Sequence, residues 1–493
     1  MARASGPAED GLITGEFEDK ESGVRYRVYQ QDGRAWMSYE RTRENGLKGQ
    51  RELLYFIGSN KKGRSYLFSE QGFWFETPIN WYAQEGKWEM TPAYAEAREI
   101  PLNLPSFSSC LNCHTSGLQS RMPSTRNRYS GEPFVHAGLT CERCHGVGEG
   151  HLEGKGSIVN PAKLAPEQRD SICMECHFEG TVSVTQPGKH LYQFQPGDRL
   201  ADYVHYFVRR ENEARAEALS QFEALSLSMC KRKSGDRMWC VSCHDPHQEP
   251  GASEKVAYYR NKCLSCHGEA FAAKHHPDKP DCVHCHMPVL PSKDVAHTQS
   301  TDHRILRYAQ EVVAERNAGS DGLEAFPESE AWLSTTRDFA LAWEMLAQRG
   351  VEGASHEAEE YLHKAVKEWP NDVQVLSDTG FVEQQRGHKN EAIGLYERAL
   401  KIRPQGNTAA VNLGILEAQS GNVQRAVELW QGAFDRVPYR SAIGMNLATV
   451  FCAAGKKEEA RRYVLRVLEF NPDHAKAKQL LEHLNEDPVR CAP

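Results

Sequence analysis

The feature that most constrains this 493-residue chain is a five-residue pattern, Cys-x-x-Cys-His, which occurs six times. Two thiols three residues apart lie on one helical turn, where both can form thioether bonds to the vinyl groups of one porphyrin. The imidazole of the following residue then meets the iron. The spacing therefore predicts six covalent c-type haems. The six copies are Cys110/Cys113/His114, Cys141/Cys144/His145, Cys173/Cys176/His177, Cys240/Cys243/His244, Cys263/Cys266/His267 and Cys282/Cys285/His286.

Zinc sites and redox disulfides also use Cys-x-x-Cys pairs and are the alternative interpretation. A zinc ribbon does not require a histidine directly after the second cysteine of every pair, so haem is favoured. Three of the 15 cysteines lie outside the motifs. We expect Cys452, in an apolar helical stretch, to be a small core residue. Cys491 belongs to the C-terminal tail, and the pattern assigns no role to Cys230.

The chain divides by pattern into four segments. Residues 1–100 carry Tyr, Phe and Trp in short alternating runs, with Asp32-Gly33 and Gln71-Gly72 as hairpin turns, which predicts an antiparallel β module. Residues 101–310 hold the six motifs in loops rich in Pro and Gly, where haem is expected to replace a side-chain core. Residues 311–336 mix charged residues with Gly and Pro, which predicts a linker.

The fourth segment, residues 337–485, repeats with a period of 34 residues. A Gly in the intra-repeat turn, an Ala where two helices cross and a closing Pro are typical of tetratricopeptide repeats. We predict four helix pairs, at 337–370, 371–404, 405–438 and 439–472, and a capping helix at 475–484. The recurring residues are Gly353, Gly387, Gly421 and Gly455; Ala358, Ala392, Ala426 and Ala460; and Pro370, Pro404, Pro438 and Pro472.

The predicted fold class is therefore multidomain α+β: a small antiparallel β module, a loop-rich multihaem cytochrome c domain and a C-terminal α-solenoid. The solenoid offers a concave surface for a protein segment, with a spacer or a self-association arm as the alternatives. We expect its five histidines to face solvent: His356, His363, His388, His474 and His483.

Charge and hydropathy exclude some partners. A net charge of −8 and a pI of about 6.3 leave no global basic surface, which argues against nucleic acid. We predict no transmembrane segment, because the longest charge-free stretch near the C-terminus, residues 441–455, is too short to span a bilayer.

Sequence segments in and around the motifs resemble those of a known family. The chain resembles the bacterial multihaem c-type cytochromes of the cytochrome c-554 type fused to tetratricopeptide repeats, over nearly its whole length. Family members begin with a secretion signal and an earlier Cys-x-x-Cys-His, whereas this chain opens Met-Ala-Arg-Ala-Ser-Gly, so we expect the parent protein to start further upstream. The segments that carry this resemblance are Tyr55-Phe-Ile-Gly-Ser59, Gly63-Arg-Ser-Tyr-Leu67, Cys110-Leu-Asn-Cys-His114, Cys141-Glu-Arg-Cys-His-Gly146 with His151, Cys240-Val-Ser-Cys-His-Asp-Pro-His247, Cys282-Val-His-Cys-His-Met-Pro288, His297 and Thr301-Asp-His-Arg-Ile305.

A low-spin electron-carrying haem usually has a second axial ligand, which in bis-histidine ligation is an imidazole from elsewhere in the fold. The predicted distal ligands are histidines in the segments that resemble the family, or near Gly and Pro turns: His151, His247, His276, His297 and His303. We expect His136, His190, His205 and His275 to face solvent, and His284 to be incidental to its motif. Five candidates for six haems leave at least one iron without an assigned second ligand.

Three functions follow from these features. The favoured one is a periplasmic or extracellular cytochrome that relays single electrons through six haems, with the repeats docking a redox partner protein; thioether formation requires maturation outside the cytoplasm. The second is a multihaem oxidoreductase that acts on a small nitrogen or sulfur compound at one five-coordinate haem, and the third is a repeat scaffold whose haems are structural. The absence of a Cys-x-x-Cys-Lys motif weighs against an enzyme of the cytochrome c nitrite reductase kind.

Overall fold

The computed structural model describes all residues except 1–3, 43–45, 59–62, 84, 96, 210–219, 276, 290–300, 308–321, 328–332, 487–490 and 492–493. The chain forms two compact units. One spans Leu139–Asp338, and the other joins the described residues up to Gly138 with those from Phe339 onward. Among the described residues, no helix combines the length and the apolar character needed to cross a bilayer.

The N-terminal segment is the predicted antiparallel module. Strands β2 to β5 form one sheet in chain order, and a second sheet has the order β1-β6-β7-β9-β10, with β8 paired to β7. The alternating aromatic residues supply the core between them. The strands are β1 Ser5–Pro7, β2 Gly15–Asp19, β3 Val24–Gln31, β4 Arg34–Arg41, β5 Lys48–Leu53, β6 Tyr55–Ile57, β7 Gly63–Glu70, β8 Phe73–Glu76, β9 Ile79–Tyr82 and β10 Lys87–Met90.

Both predicted hairpin turns are confirmed. Asp32 and Gly33 have φ values of 51° and 77°, and the flanking residues Gln31 and Arg34 pair across the hairpin. Gln71 and Gly72, with φ values of 54° and 79°, connect β7 to β8 in the same way. Two consecutive left-handed residues give the twist that a two-residue hairpin needs.

The first motif follows the β module and packs on it. Helix α1 (Ser108–His114) leads into a hairpin of β11 (Thr115–Leu118) and β12 (Phe134–Ala137). Leu111 of this helix is fully buried in a cluster with Ile57 and Trp74 of the β module.

The unit Leu139–Asp338 consists of short helices and one small sheet of order β13-β14-β15. Among the described residues, its buried hydrophobic cluster has nine members, among them Phe178, Leu200 and Tyr206, and it includes Met174 of the third motif. This is the architecture expected where a cofactor replaces a core. The elements are α2 Glu142–His145, α3 Glu149–Leu152, α4 Pro166–His177, β13 Val182–Thr185, β14 Val204–Arg209, α5 Gln221–Leu227, α6 Met229–Ser234, α7 Lys255–His267, α8 Glu269–His275, α9 Cys282–His286 and β15 Leu323–Phe326.

The C-terminal segment consists of the predicted helix pairs and capping helix. The four recurring alanines are all fully buried, and the four recurring glycines all have φ between 73° and 86°, which ends each turn without strain. The helices are α10 Thr336–Gln348, α11 Ala354–Glu368, α12 Val373–Gln385, α13 Lys389–Ile402, α14 Asn407–Gln419, α15 Val423–Arg436, α16 Ser441–Ala453, α17 Lys457–Phe470 and α18 Ala475–His483.

The repeats share a hydrophobic core with the β module, which the sequence does not predict. The rings of Phe73 and Phe75 lie 5.8 and 5.4 Å from Tyr439, both edge-on, and each also contacts Phe470. Asp473 accepts a 3.1 Å hydrogen bond from the backbone N–H of Ile100. Part of the apolar surface of the repeats is therefore covered by the β module.

A disulfide closes the C-terminus. Cys452 in α16 is buried, as predicted, but its sulfur is bonded to Cys491. Cys491 lies in the C-terminal tail, as predicted, but the sequence pattern gives no indication that the tail is bonded to this helix.

Candidate haem-attachment sites

Each Cys-x-x-Cys-His motif adopts helical geometry. Five of the motif histidines are the last residue of a helix, and the fourth motif begins in a 3₁₀ turn at Cys240–Ser242. The helical turn places the two cysteines of each motif on one side, as thioether attachment to a single porphyrin requires. The five helices that end at a motif histidine are α1, α2, α4, α7 and α9.

The twelve predicted attachment cysteines are all free of disulfide bonds, so each thiol is available for a thioether bond. Two of them, Cys141 and Cys266, are exposed to solvent. The placement of these thiols is compatible with haem attachment, which stays a prediction. The other ten are partly buried: Cys110 and Cys113 in α1, Cys144 in α2, Cys173 and Cys176 in α4, Cys240 and Cys243 in the fourth motif, Cys263 in α7, and Cys282 and Cys285 in α9.

Five of the six motif histidines have a hydrogen-bond contact at Nδ1. The Nδ1 of His145 lies 2.8 Å from the carbonyl oxygen of Val159, and that of His286 lies 2.7 Å from the carbonyl oxygen of Leu306. A histidine whose Nδ1–H is held in this way presents Nε2 to a metal. Three further motif histidines have Nδ1 contacts of the same kind: His114 with the carbonyl of Ala4 at 3.1 Å, His244 with the hydroxyl of Tyr259 at 3.3 Å and His177 with Oε1 of Gln221 at 3.4 Å.

Three motif histidines face a second imidazole across a distance that suits one iron. With metal–nitrogen bonds of about 2 Å on each side, two imidazoles that share an iron have ring centres roughly 6 Å apart. The observed pairs have nearly parallel rings. They are His145 with His247 at 6.0 Å and 13°, His244 with His303 at 6.1 Å and 28°, and His286 with His275 at 5.9 Å and 24°.

The predicted distal histidines are thus placed differently from one another. His247 and His303 face motif histidines, whereas His151 is exposed on α3, with its Nδ1 3.3 Å from the carbonyl of Gly156. His276 and His297 lie outside the described residues.

Sequence reasoning missed His275. It was expected to face solvent, yet it ends α8 with its ring opposite His286. Its position eight residues after the fifth motif, directly before a second histidine, is the one signal that could have singled it out.

The other histidines expected to face solvent differ in outcome. His136, His190 and His284 are exposed. His205 is buried, and its Nδ1 lies 3.1 Å from Oδ2 of Asp338. The expectation for His205 is therefore wrong, because β14 places it inside the small sheet rather than in a loop.

Consecutive motifs are neighbours in space from the second to the sixth. The Cys173 thiol donates a hydrogen bond to Cys240, which raises the pKa of Cys173 and lowers that of Cys240. Burial, with the neighbouring Cys282, raises the pKa of Cys263 to about 11. The attachment cysteines that interact across motifs are Cys144 with Cys176, Cys173 with Cys240, Cys243 with Cys266, and Cys263 with Cys282.

Burial also keeps several of these imidazoles in the form that binds iron. It lowers the pKa values of His177, His244 and His303, so these rings stay neutral at neutral pH. A neutral imidazole has the free lone pair that metal ligation needs.

One carboxyl group lies beside the first motif. Glu76, in β8, hydrogen-bonds with the thiol of Cys110, and burial raises the pKa of Glu76 to about 7. Burial, together with the neighbouring Glu76, raises the pKa of Cys110 to about 12. A group that titrates near neutral pH therefore adjoins a thioether position.

Comparison with protein families agrees with this geometry. A family model described as cytochrome c554 and c-prime matches residues 81–146, and one described as a doubled CXXCH motif matches residues 232–272. Two tetratricopeptide repeat models match residues 378–441 and 417–484. The chain is a c-type cytochrome fused to tetratricopeptide repeats.

No curated protein matches this cytochrome. Among solved structures, similar chains include MamA 41-end from Desulfovibrio magneticus RS-1 (20% identity, 31% of this chain and 86% of that chain, TM-score 0.27). A second similar chain is PilF of Pseudomonas aeruginosa, with 20% identity over 30% of this chain and 67% of that chain and a TM-score of 0.27. A third is a tetratricopeptide repeat protein from Parabacteroides merdae, with 18% identity over 30% of this chain and 59% of that chain and a TM-score of 0.27. With TM-scores below 0.5, we draw nothing further from these similarities.

The residues of the cytochrome fit covalent haem. Helical cysteine pairs free of disulfides, imidazoles held at Nδ1 and facing imidazoles about 6 Å apart are what a c-type haem with two axial histidines requires. When bound, haem supplies reversible one-electron chemistry at its iron. The chain's own cysteines would attach it, and the hydrogen bonds at Nδ1 would orient its axial histidines.

Proposed function

We propose that this cytochrome carries six covalent haems and relays single electrons among them outside the cytoplasm. The observation that carries the proposal is the proximity of attachment cysteines in consecutive motifs, from the second to the sixth: Cys173 and Cys240, and Cys263 and Cys282, are hydrogen-bonded, and the other two pairs interact electrostatically. Because thioether bonds join these cysteines to the porphyrin edges, neighbouring cysteines imply neighbouring haems. Electrons would then move through the unit Leu139–Asp338 in the order of the motifs along the chain.

The axial ligands are part of the proposal. His114, His145, His177, His244, His267 and His286 are the proximal ligands. We assign His247, His303 and His275 as the distal ligands of the second, fourth and sixth haems, from the three facing ring pairs. The candidates for the distal ligands of the first, third and fifth haems remain His151, His276 and His297.

The disulfide supports a location outside the cytoplasm. Cytochromes of this type are typically extracytoplasmic, and disulfides persist in oxidising compartments such as the bacterial periplasm. The bond between Cys452 and Cys491 is consistent with that environment. Because part of the repeat surface covers the β module, we propose that the remainder docks the redox partner protein.

A second candidate function is an oxidoreductase that acts on a small nitrogen or sulfur compound at one five-coordinate haem. The observation that favours it is the phenyl ring of Phe271, which lies 5.2 Å from the ring of His267. An apolar ring beside the fifth motif is compatible with an iron that keeps one open face.

Two measurements test the proposal. The mass of the intact denatured chain, after maturation with a c-type haem assembly system, should include six haem additions, and fewer in fully matured material would contradict the stoichiometry. Electron paramagnetic resonance of the oxidised protein should show low-spin signals only. A high-spin signal from one haem would favour the oxidoreductase.

A further inference from the structure

Ligand-type side chains converge in the second helix pair of the repeats, far from the haem motifs in sequence. One ligand atom from each of Glu383, His388 and Glu391 lies within 4.8 Å of the others. Glu383 is near the end of α12, His388 is in the turn and Glu391 is in the first turn of α13. The sequence predicts solvent-facing histidines here; His388 is exposed, as predicted, and both His388 and the partly buried His363 contact one carboxylate.

Glu383 is the centre of this cluster. Its side chain is 1% exposed, its Oε2 lies 2.6 Å from Nδ1 of His388, and its Oε1 lies 2.5 Å from Nε2 of His363. When His363 donates to Oε1, it holds the carboxylate with Oε2 turned towards His388. This is the way in which outer hydrogen bonds orient a metal-binding carboxylate.

The next repeat shows what a structural role alone requires. At the equivalent positions 34 residues later, Glu417 is also buried and accepts a 2.7 Å hydrogen bond from Nδ2 of Asn422. Its charge is balanced by Arg425 at 3.3 Å. The first of the two repeats replaces Asn422 by His388 and the balancing Arg425 by Glu391. The turn therefore needs neither the imidazole nor the second carboxylate.

The charge of the cluster points to a cation. Arg386 lies 3.0 Å from Glu359 and 3.5 Å from Glu383, so one guanidinium forms ion pairs with two carboxylates. Glu391 adds a third carboxylate to the cluster. Three carboxylates thus face one guanidinium, and because Glu391 is exposed, a cation can reach the cluster from solvent and add to the compensation of the buried Glu383.

We propose that His388 Nδ1, Glu383 Oε2 and a Glu391 carboxylate oxygen bind a divalent transition-metal ion of the zinc class. Imidazole nitrogen with carboxylate oxygen suits zinc, whereas calcium and magnesium prefer oxygen alone. Three protein ligands leave a fourth position for water or a partner's side chain. His363 is a positioning residue that acts through Glu383.

The test is isothermal titration of ZnCl₂ into the full-length haem-loaded protein after treatment with a chelator. Two variants remove one ligand each: Glu391→Gln, which is exposed, and His388→Asn, which restores the residue of the next repeat. The matched control is His356→Asn, an exposed histidine of α11. We expect the wild type to bind one equivalent of zinc. The affinity for zinc should fall more than about tenfold in both variants and stay unchanged in the control.

Circular dichroism of each variant checks that the helices remain folded. The proposal fails if either folded variant binds zinc as the wild type does, or if the wild type binds no zinc. His363→Asn should weaken binding without changing the stoichiometry, because it removes the hydrogen bond that orients Glu383 and no ligand.

Discussion

A histidine becomes a distal ligand only where the backbone carries its ring opposite a motif imidazole, and neighbouring sequence is a weak guide to that. His247 and His303 were predicted and do face motif histidines, whereas His275 was expected in solvent and faces His286. Loop conformations decide such pairings, and no periodicity encodes them.

Replacing His275 tests the assignment of the sixth haem. We expect His275→Ala to convert one haem from low spin to high spin, because the imidazole opposite His286 is removed while the thioether bonds of Cys282 and Cys285 stay. Electron paramagnetic resonance of the oxidised protein measures this change. His136→Ala, at an exposed strand position, is the control and should leave every signal unchanged. A low-spin spectrum identical to that of the wild type would exclude His275 as a ligand.

Glu76 should make the potential of the first haem depend on pH. Its pKa is raised to about 7 by burial, so it loses its proton between about pH 6 and 8. The carboxylate stabilises the oxidised, more positive haem, so the potential should fall as pH rises, by less than about 59 mV per pH unit. Potentiometric titration at several pH values measures the slope.

The Glu76→Gln variant is the control for that slope. Glutamine keeps the shape of the side chain but carries no titrating proton, so the potential of the first haem should become flat between pH 6 and 8. The dependence would have another origin if the variant kept the slope of the wild type.

Regular elements were predicted well because their periodicity is local. The hairpin turns at Asp32-Gly33 and Gln71-Gly72 and the 34-residue helix pairs appear where the pattern places them. The short helices of the haem region were not predicted individually. A helix of four to thirteen residues that ends at a motif histidine has too few turns to show an apolar stripe.

Two glycines in neighbouring repeat helices should respond in opposite ways to a methyl group. In α14, a Cβ on Gly414 would meet the indole of Trp430, so Gly414→Ala should lower the thermal unfolding midpoint, with a cost of about 1 to 3 kcal/mol. In α13, a Cβ on Gly394 meets nothing within 4 Å. Gly394→Ala should raise stability by about 0.5 to 1 kcal/mol, because alanine loses less backbone entropy.

Calorimetry of both glycine variants measures these shifts against the wild type. The close packing of α14 on α15 would be contradicted if Gly414→Ala melted at or above the wild-type temperature while Gly394→Ala behaved as expected.

At the scale of the whole chain, the number and type of segments follow from the sequence, but their packing does not. Apolar alternation predicts that Phe73 and Phe75 are buried, without indicating what covers them. In the structure Tyr439 and Phe470 cover them, from a segment more than 360 residues away. Only surfaces that meet in three dimensions encode such a contact, so the repeats look independent in sequence and are not.

Removal of the repeats should therefore expose the β module. In a chain that ends at Asp338, the aromatic rings that contact Tyr439 and Phe470 meet water, and the hydrogen bond from Ile100 to Asp473 is lost. We expect trypsin to cleave residues 4–100 at least tenfold faster than in the full chain, since cleavage follows the population of the open state. The five haems of the unit Leu139–Asp338 should keep their potentials, because their attachment residues and the three facing histidines His247, His275 and His303 lie within it. The control chain carries Cys452→Ser and ends at Asn485, so it loses the disulfide and keeps every repeat. If the β module resisted trypsin equally in both shortened chains, the shared core would contribute little, and the repeats would behave as a separate docking arm after all.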